Sequence, residues 1–354
     1  MIKMEEFSRT EESFDVMKHF LSCFVLYFLW YFQGLTMDVI LQCAFGMKAD
    51  AQNNPDDPAI TAAKRSINGS ALHRAILAAL SLIPFGDKIG RVFPSLLTRD
   101  MKDLMDIARQ IVSMKNQTGS STPRKDLLDV MLLAAAQDPT MLDSKTMTVD
   151  EVLARSVIFL IAGYETSSTT LGFVCYSLAT NADIQEKLQK EIDSVWDDES
   201  KMPSYETVNE LPYLGMVISE TLRLYPAAPF SIRTCKEDCI LKNLKVPQGI
   251  SVTVPTYSIH RDPKLWPNPE RFDPERFSPE AKQSRDTYAY MPFGHGPRNC
   301  IGMRFAQMGM KLVLVRILKK YSFLVSKDTK IPPEVTLRIA LTAKEIKLLI
   351  KLRQ

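Results

Sequence analysis

The stretch from Thr148 to about Asn181 constrains this chain more than any other. Thr148 and Glu151 make a T-x-x-E capping box, which starts a helix by satisfying its first free N–H groups. Apolar periodicity then runs on to about Asn181. At about 1.5 Å per residue, such a helix is on the order of 50 Å long, enough to cross a whole domain. Its middle, VIFLIAG, is apolar on every side, so the helix must be buried all round. A chain that holds it needs a large and mostly helical body.

The rest of the sequence supplies that body. Leu35–Met47 is apolar-periodic and ends in DAQNNPDDP, a loop dense in turn formers. Ile60–Ile83 and Ser95–Lys115 read as helices, Gln117–Asp126 as a polar linker and Leu127–Gln137 as a short helix. Ile184–Trp196 reads as the next helix, and Thr207 with Glu210 repeats the capping box before a helix that ends at Leu224–Pro226. After Pro226 the texture changes. Val246–Gly249 is a turn, Ile250–Val254 a short β-branched strand and Arg261–Pro279 Pro-rich coil. A Gly-rich loop at Phe293–Gly302 leads into an amphipathic helix from about Met303 to Lys320. The expected fold class is therefore mainly α with a small β portion.

Composition excludes several functions. The 354 residues are 45% hydrophobic, ample for one large domain or two ordinary ones. A net charge of +3 gives no reason to expect nucleic-acid binding. The six cysteines are scattered, which reads as reduced thiols in a cytosol-facing protein rather than a disulfide framework. Cys235 and Cys239 in CKEDC have no matching His-rich partner, which argues against zinc. Met1–Ser13 is polar and acidic, unlike the start of a signal peptide. The run FLSCFVLYFLWYF at Phe20–Phe32 is shorter than the ~17–25 residues that span a bilayer. It reads as a buried helix, a membrane-surface segment or a gene-model artefact.

Three clusters carry chemistry. Pro292–Gly302, PFGHGPRNCIG, places Cys300 on a glycine-rich loop that runs into a helix. Gly294, Gly296 and Gly302 let the backbone turn tightly and approach a flat ligand. The helix N-terminus favours a thiolate at Cys300, and Arg298 offers a cation to an anionic ligand group. Next, Ala162-Gly163-Tyr164-Glu165-Thr166 puts an acid and a hydroxyl inside the apolar core helix, which is costly unless they have a task. Hydroxyls from Thr166 to Thr170 can bond back to carbonyls one turn earlier. Third, Glu220 and Arg223 share a helix face.

The cysteine loop matches F-G-x-G-x-R-x-C-x-G, the haem-binding signature of the cytochrome P450 family, which arises by chance on the order of once in 10⁸ starts. The chain is similar to that family from about Leu35 to its end, and resembles its 3A-type microsomal enzymes most, through FLIAGYET, HRDPKLWPNPERFDPERF and FGHGPRNCIGMRFA. Thromboxane synthase is the next relative, an isomerase with an apolar residue at the position of Thr166, so oxygen activation is the reading here. The resemblance implies a P450 fold over residues 35–354, preceded by a non-matching segment, 1–34. It implies haem b as cofactor, with Cys300 as the axial ligand of the iron. Arg298, Arg233, Phe293, Gly294, Gly302, Ala162 and Gly163 would bind the cofactor, and Glu165 and Thr166 would be catalytic, relaying protons. Glu220, Arg223 and Arg276, the last in Pro274–Phe277, would form a structural cluster. Phe159, Ile161, Ala228 and Phe230 would line a substrate pocket.

The implied function is a monooxygenase that hydroxylates apolar small molecules (xenobiotics, steroids or lipids), an oxidoreductase of xenobiotic or steroid metabolism. It would act on the cytosolic face of the endoplasmic reticulum membrane. Electrons would come from NADPH through NADPH-cytochrome P450 reductase, with cytochrome b5 a second partner. The basic final helix, with Arg304, Lys311, Arg316, Lys319 and Lys320, would dock that acidic reductase. By family standards the N-terminal part is missing, including the membrane anchor. W-x-x-x-R, which holds a propionate, is also missing: Gly34, Ser200 and Glu270 stand four residues after the three tryptophans. The alternative is a catalytically inactive fragment with weak haem binding or none. Joining Phe20 to Gln33 restores a family-like stretch, so Leu21–Phe32 reads as inserted, by a retained intron or mis-spliced model, or else as a natural membrane-dipping helix.

Overall fold

The computed structural model describes residues 32–47, 51, 54, 56–68, 101–118, 126–136, 147–196, 203–338 and 340–353. Leu21–Phe32 (Phe32 apart), residues 69–100 of the expected early helices and residues 119–125 of the linker lie outside the described residues. The chain divides into two compact units that meet in sequence between Ser168 and Thr169.

The first unit is helical. It holds α1 (residues 32–45), α2 (Pro58–Asn68), α3 (Lys102–Thr118), α4 (Leu127–Ala136) and the first two-thirds of α5 (Val149–Ala179). Thr148 and Glu151 cap α5 reciprocally. The Glu151 carboxylate accepts from Thr148 N–H at 2.9 Å, and Thr148 Oγ1 accepts from Glu151 N–H at 3.2 Å. Asp126 and Asp129 do the same for α4 at 3.1 and 3.0 Å, and Lys115 pairs with both. Gly46, at φ +66°, closes α1 in the left-handed conformation that favours glycine. Met37, Ile40, Phe45, Ile60, Leu104, Leu128, Val152, Leu160 and Tyr164 form one apolar core. Thr36 Oγ1 donates to Tyr164 O at 2.9 Å and so ties α1 to α5. The helix α5 is long and apolar enough to cross a membrane, but most of its apolar window is buried in protein.

The second unit begins with the end of α5. There follow α6 (Ala182–Val195), α7 (Tyr205–Asn209), α8 (Pro212–Leu224), β1 (Ser231–Thr234), β2 (Cys239–Leu241), β3 (Leu244–Val246), β4 (Ser251–Val254), α9 (Thr256–Ile259), α10 (Pro279–Gln283) and α11 (Met303–Lys320). Last come β5 (Tyr321–Val325), β6 (Val335–Leu337), β7 (Leu341–Ala343) and β8 (Leu348–Leu352). The strands make four antiparallel two-stranded ladders, β1–β4, β2–β3, β5–β8 and β6–β7. Helices α6, α8 and α11 pack together around Leu188, Ile192, Leu214, Val217, Leu314 and Leu318. The Gln185 side-chain amide pairs with both backbone groups of Phe323, at 2.7 and 2.9 Å, and fixes β5 against α6.

One expected cap is wrong. Thr207 and Glu210 do not start the helix that ends at Leu224. Ser204 caps the short α7, accepting from Thr207 N–H at 3.2 Å, and Glu210 ends it. The helix α8 starts at Pro212, and its free N–H groups are met by Glu191 of α6, which accepts from Tyr213 at 2.7 Å and Leu214 at 2.9 Å. A carboxylate from another helix has replaced the local box.

Candidate haem-thiolate site

The cysteine loop rests on a buried polar platform in the second unit. Glu220 and Arg223 of α8 are both fully buried. Arg223 Nε donates to Glu220 Oε2 at 2.7 Å and Nη2 to Oε1 at 2.9 Å, a bidentate pair. The remaining donors of Arg223 reach His260 O at 2.8 Å and Arg271 O at 3.2 Å. Asp273 N–H donates to Glu220 Oε1 at 2.9 Å. Arg276 Nε lies 3.4 Å from that oxygen, an ion pair without an aligned hydrogen bond, and its Nη2 donates to Pro267 O and Asn268 O. The expected trio of Glu220, Arg223 and Arg276 is thus brought together. Burial raises the Glu220 carboxyl, and Arg223 first among its partners pulls it back.

His260 joins this platform to the loop, a link that motif reading passed over although His260 opens the HRDP run. Its Nε2 accepts from Met291 N–H at 2.9 Å, and its Nδ1 faces Arg223 O at 3.2 Å. The neutral ring with the proton on Nδ1 satisfies both contacts. Burial, and then the neighbouring arginines, push its pKa down to about 4. Tyr290 stacks on the ring at 5.3 Å and donates to Ser219 O at 3.0 Å.

From Met291 the loop turns through Gly294 (φ +72°) and Gly296 (φ +81°). Cys300 N–H donates to Phe293 O at 2.8 Å and closes it. The third glycine is different. Gly302 has an ordinary φ of −84°, and a Cβ there would sit 3.9 Å from Cys300 Sγ. Backbone strain therefore demands glycine at 294 and 296 but not at 302. Gly302 is the N-cap of α11 and offers no side chain to its first N–H groups, so the sulfur lies beside an uncapped helix N-terminus.

Arg233 on β1 donates to Arg298 O at 3.3 Å and so brings the strand to the cysteine loop. Large apolar side chains on these segments are exposed: Phe230 and Ile232 by the strand, Phe305 and Ile301 by the cysteine, with Ile301 at 86%. Ala228 is exposed as well. An exposed thiol at a helix start, the Arg233 guanidinium bonded to the cysteine loop, an exposed Arg298 on that loop and an apolar surround form a donor set that fits haem. The thiol suits the iron, the cations suit the propionates and the apolar surface suits the macrocycle.

The other expected residues lie in the first unit, on α5. Glu165 is buried, and Thr166 Oγ1 donates to Ala162 O at 2.6 Å. The backbone helix runs unbroken through 162–166. A Cβ at Gly163 would come within 2.6 Å of Ile40 Cγ1, so that glycine lets α1 approach α5. Phe159 is part-buried against the apolar core, and Ile161 belongs to the core itself. Ile158, 62% exposed, shares a face with Ala162 and Thr166 at four-residue spacing, a periodicity that would have singled it out over Ile161.

Of the five expected basic groups on α11, Lys311 and Lys319 are among those engaged within the fold. Lys311 donates to Asn209 O, and Lys319 pairs with Asp193 at 3.1 Å. Arg304 and Arg316 are exposed. Among the described residues, no group of three or more His, Cys, Asp or Glu could hold a metal ion.

Comparison with known proteins agrees with this geometry. A family profile described as Cytochrome P450 matches residues 28–350. Cytochrome P450 3A2 of Rattus norvegicus is 42% identical over 304 residues, 85% of this chain and 60% of the relative. Cytochrome P450 3A5 of Homo sapiens is 42% identical over 304 residues, 85% and 59% of the two chains. Cytochrome P450 3A40 of Oryzias latipes is 38% identical over 340 residues, 92% and 67%. The chain spans about 60% of the length of most such relatives. With its cysteine loop, its buried Glu–Arg–Arg platform and a match over nearly its whole length, the chain belongs to the cytochrome P450 family, whose cofactor is haem b.

Proposed function

We propose that this chain forms the haem-thiolate part of a monooxygenase that hydroxylates apolar small molecules such as xenobiotics, steroids or lipids. The observation that carries the reading is Cys300, exposed at the uncapped start of α11 on a loop closed by Phe293 O. Haem bound there supplies dioxygen activation, which thiolate donation favours.

The residues of the chain divide the remaining work. Cys300 gives the thiolate. Arg298 and Arg233 take the propionates, and Phe293, Gly294 and Gly302 present the loop to the macrocycle. By family resemblance, Ala162 and Gly163 approach the cofactor, Glu165 holds a proton and Thr166 passes it on. Phe159, Ile161, Ala228 and Phe230 bind the apolar substrate, joined by Ile158, which is exposed on the face of α5 that carries Ala162 and Thr166. Glu220, Arg223 and Arg276 keep the loop in place. Residues 35–354 act as one haem domain. Electrons reach it from NADPH through NADPH-cytochrome P450 reductase or cytochrome b5, drawn to Arg304 and Arg316, at the cytosolic face of the endoplasmic reticulum.

A second reading is a haem-poor, inactive chain. Within these 354 residues none of the three tryptophans begins a W-x-x-x-R, so this stretch taken alone supplies no propionate contact of that kind. Reduction under carbon monoxide separates the two. Haem uptake with the red-shifted Soret band of thiolate ligation, abolished in Cys300→Ala, supports the monooxygenase. No uptake selects the second reading, and an unchanged band in Cys300→Ala overturns the ligand assignment.

A further inference from the structure

Cys235 and Cys239 take no part in the site above, yet the fold sets their sulfurs 3.5 Å apart. The reason lies in the backbone. Cys235 extends the β1–β4 ladder by one residue, donating to Ile250 O and accepting from Gly249 N–H, both at 2.8 Å. Cys239 opens β2 opposite Val246 of β3. The carbonyl of that same Val246 lies 3.7 Å from Cys235 Sγ, so one strand residue meets the thiol of Cys235 and pairs with the backbone of Cys239. Between them, Asp238 Oδ1 accepts from Gln248 N–H at 2.8 Å, and Glu237 O lies 3.0 Å from Cys235 Sγ. Both ends of the five-residue loop are held, and both cysteines are half-buried while the three residues between them are exposed.

No third ligand of a metal stands nearby among the described residues. A pair of thiols in contact, open to small solutes, is instead suited to oxidation. We propose that Cys235 and Cys239 form a reversible dithiol–disulfide site whose substrate is a hydroperoxide.

The chemistry closes. The Cys235 thiolate attacks one peroxide oxygen, the O–O bond breaks, and the departing oxygen takes a proton to leave as water, or as an alcohol from an organic hydroperoxide. Cys235 becomes a sulfenic acid. Cys239 sulfur attacks it, the S–S bond forms, and the displaced hydroxyl leaves with the Cys239 proton as water. Two thiols lose two electrons and the peroxide gains them. Until the first step, the Cys239 thiol is held above its ordinary range, chiefly by its hydrogen bond with Cys235 and then by burial and the nearby acidic residues. A thiol at contact distance also intercepts the sulfenic acid before it reaches the irreversible higher oxides. In a reducing compartment the disulfide is then a transient state, restored by thiol exchange.

The sequence offers a clean assay. Trypsin cuts after Arg233, Lys236 and Lys242, so the two cysteines fall in different peptides, Thr234–Lys236 and Glu237–Lys242. The full chain is treated with hydrogen peroxide, alkylated without reductant, digested and analysed by mass spectrometry. The expected result is these two peptides joined, two of the six cysteines lost to alkylation, and both effects reversed by dithiothreitol. The same linkage should form in Cys300→Ala, and in Cys239→Ser the Cys235 peptide should instead carry a dimedone adduct. Full alkylation of both peptides while Cys43 or Cys300 is oxidised overturns the proposal. So does linkage as fast in urea-unfolded chain as in native chain, since closeness in sequence would then suffice without the fold.

Discussion

At the scale of single residues, the chemistry of this chain rests on groups whose charge state is set by burial. His260 is the sharpest case. Its folded pKa of about 4 lies below its ordinary 6.5, chiefly because burial penalises the charged ring, with the charges of Arg223 and Arg261 adding to it. Between those values the unfolded chain binds a proton at His260 that the folded chain refuses. The stability His260 contributes is therefore complete above pH 6.5 and lost as pH falls toward 4, on the order of 3 kcal/mol in all. Glu220, raised by burial, acts in the opposite direction, so the measurement is a difference. Urea midpoints from pH 7 to 4 should fall more steeply for the wild type than for His260→Gln, and parallel curves would remove His260 from the account. Glu220→Gln leaves the buried Arg223 without its counter-charge and should cost about 3 kcal/mol by urea unfolding. A loss under 1 kcal/mol would mean that the His260 and Arg271 carbonyls alone satisfy the guanidinium. Glu220 and Arg223 were legible from their three-residue spacing. His260 was not, because its two partners stand 37 and 31 residues away.

At the scale of elements, local signals gave helix starts where the capping group is local. Thr148 and Glu151 cap α5 as their spacing implies. The start of α8 was misread because its acceptor, Glu191, lies 22 residues upstream on another helix. Glycine shows the same division. The positive φ of Gly294 and Gly296 follows from a tight turn that the sequence announces, whereas Gly163 is needed for a neighbour, Ile40, that no local pattern reveals. Gly163→Ala should force Ile40 aside and lower stability by about 1–3 kcal/mol in thermal or urea unfolding. Ile40→Val in the same chain should recover part of the loss, and no recovery would place the strain elsewhere.

At the scale of the whole molecule, ligand binding is the informative observable. A group that binds only the folded chain stabilises it by mass action. Added haem should raise the thermal midpoint of the chain by several degrees, and the shift should vanish in Cys300→Ala. An equal shift in both would point to haem adsorbed on the exposed apolar side chains instead. The sequence by itself determined the fold class, the long helix α5, the cysteine loop and the pairing of Glu220 with Arg223. Those features are written in periodicity, spacing and turn chemistry, which act between residues near in sequence. Tertiary structure alone decided that Gly163 makes room for Ile40, that Lys311 and Lys319 of α11 are engaged at home, that Glu191 caps α8, and that His260 joins the buried arginine to the cysteine loop. Each depends on residues distant in sequence that the fold brings together, and where the meeting is buried, as at His260 and Arg223, a hydrogen bond or a charge counts for far more than it does in water.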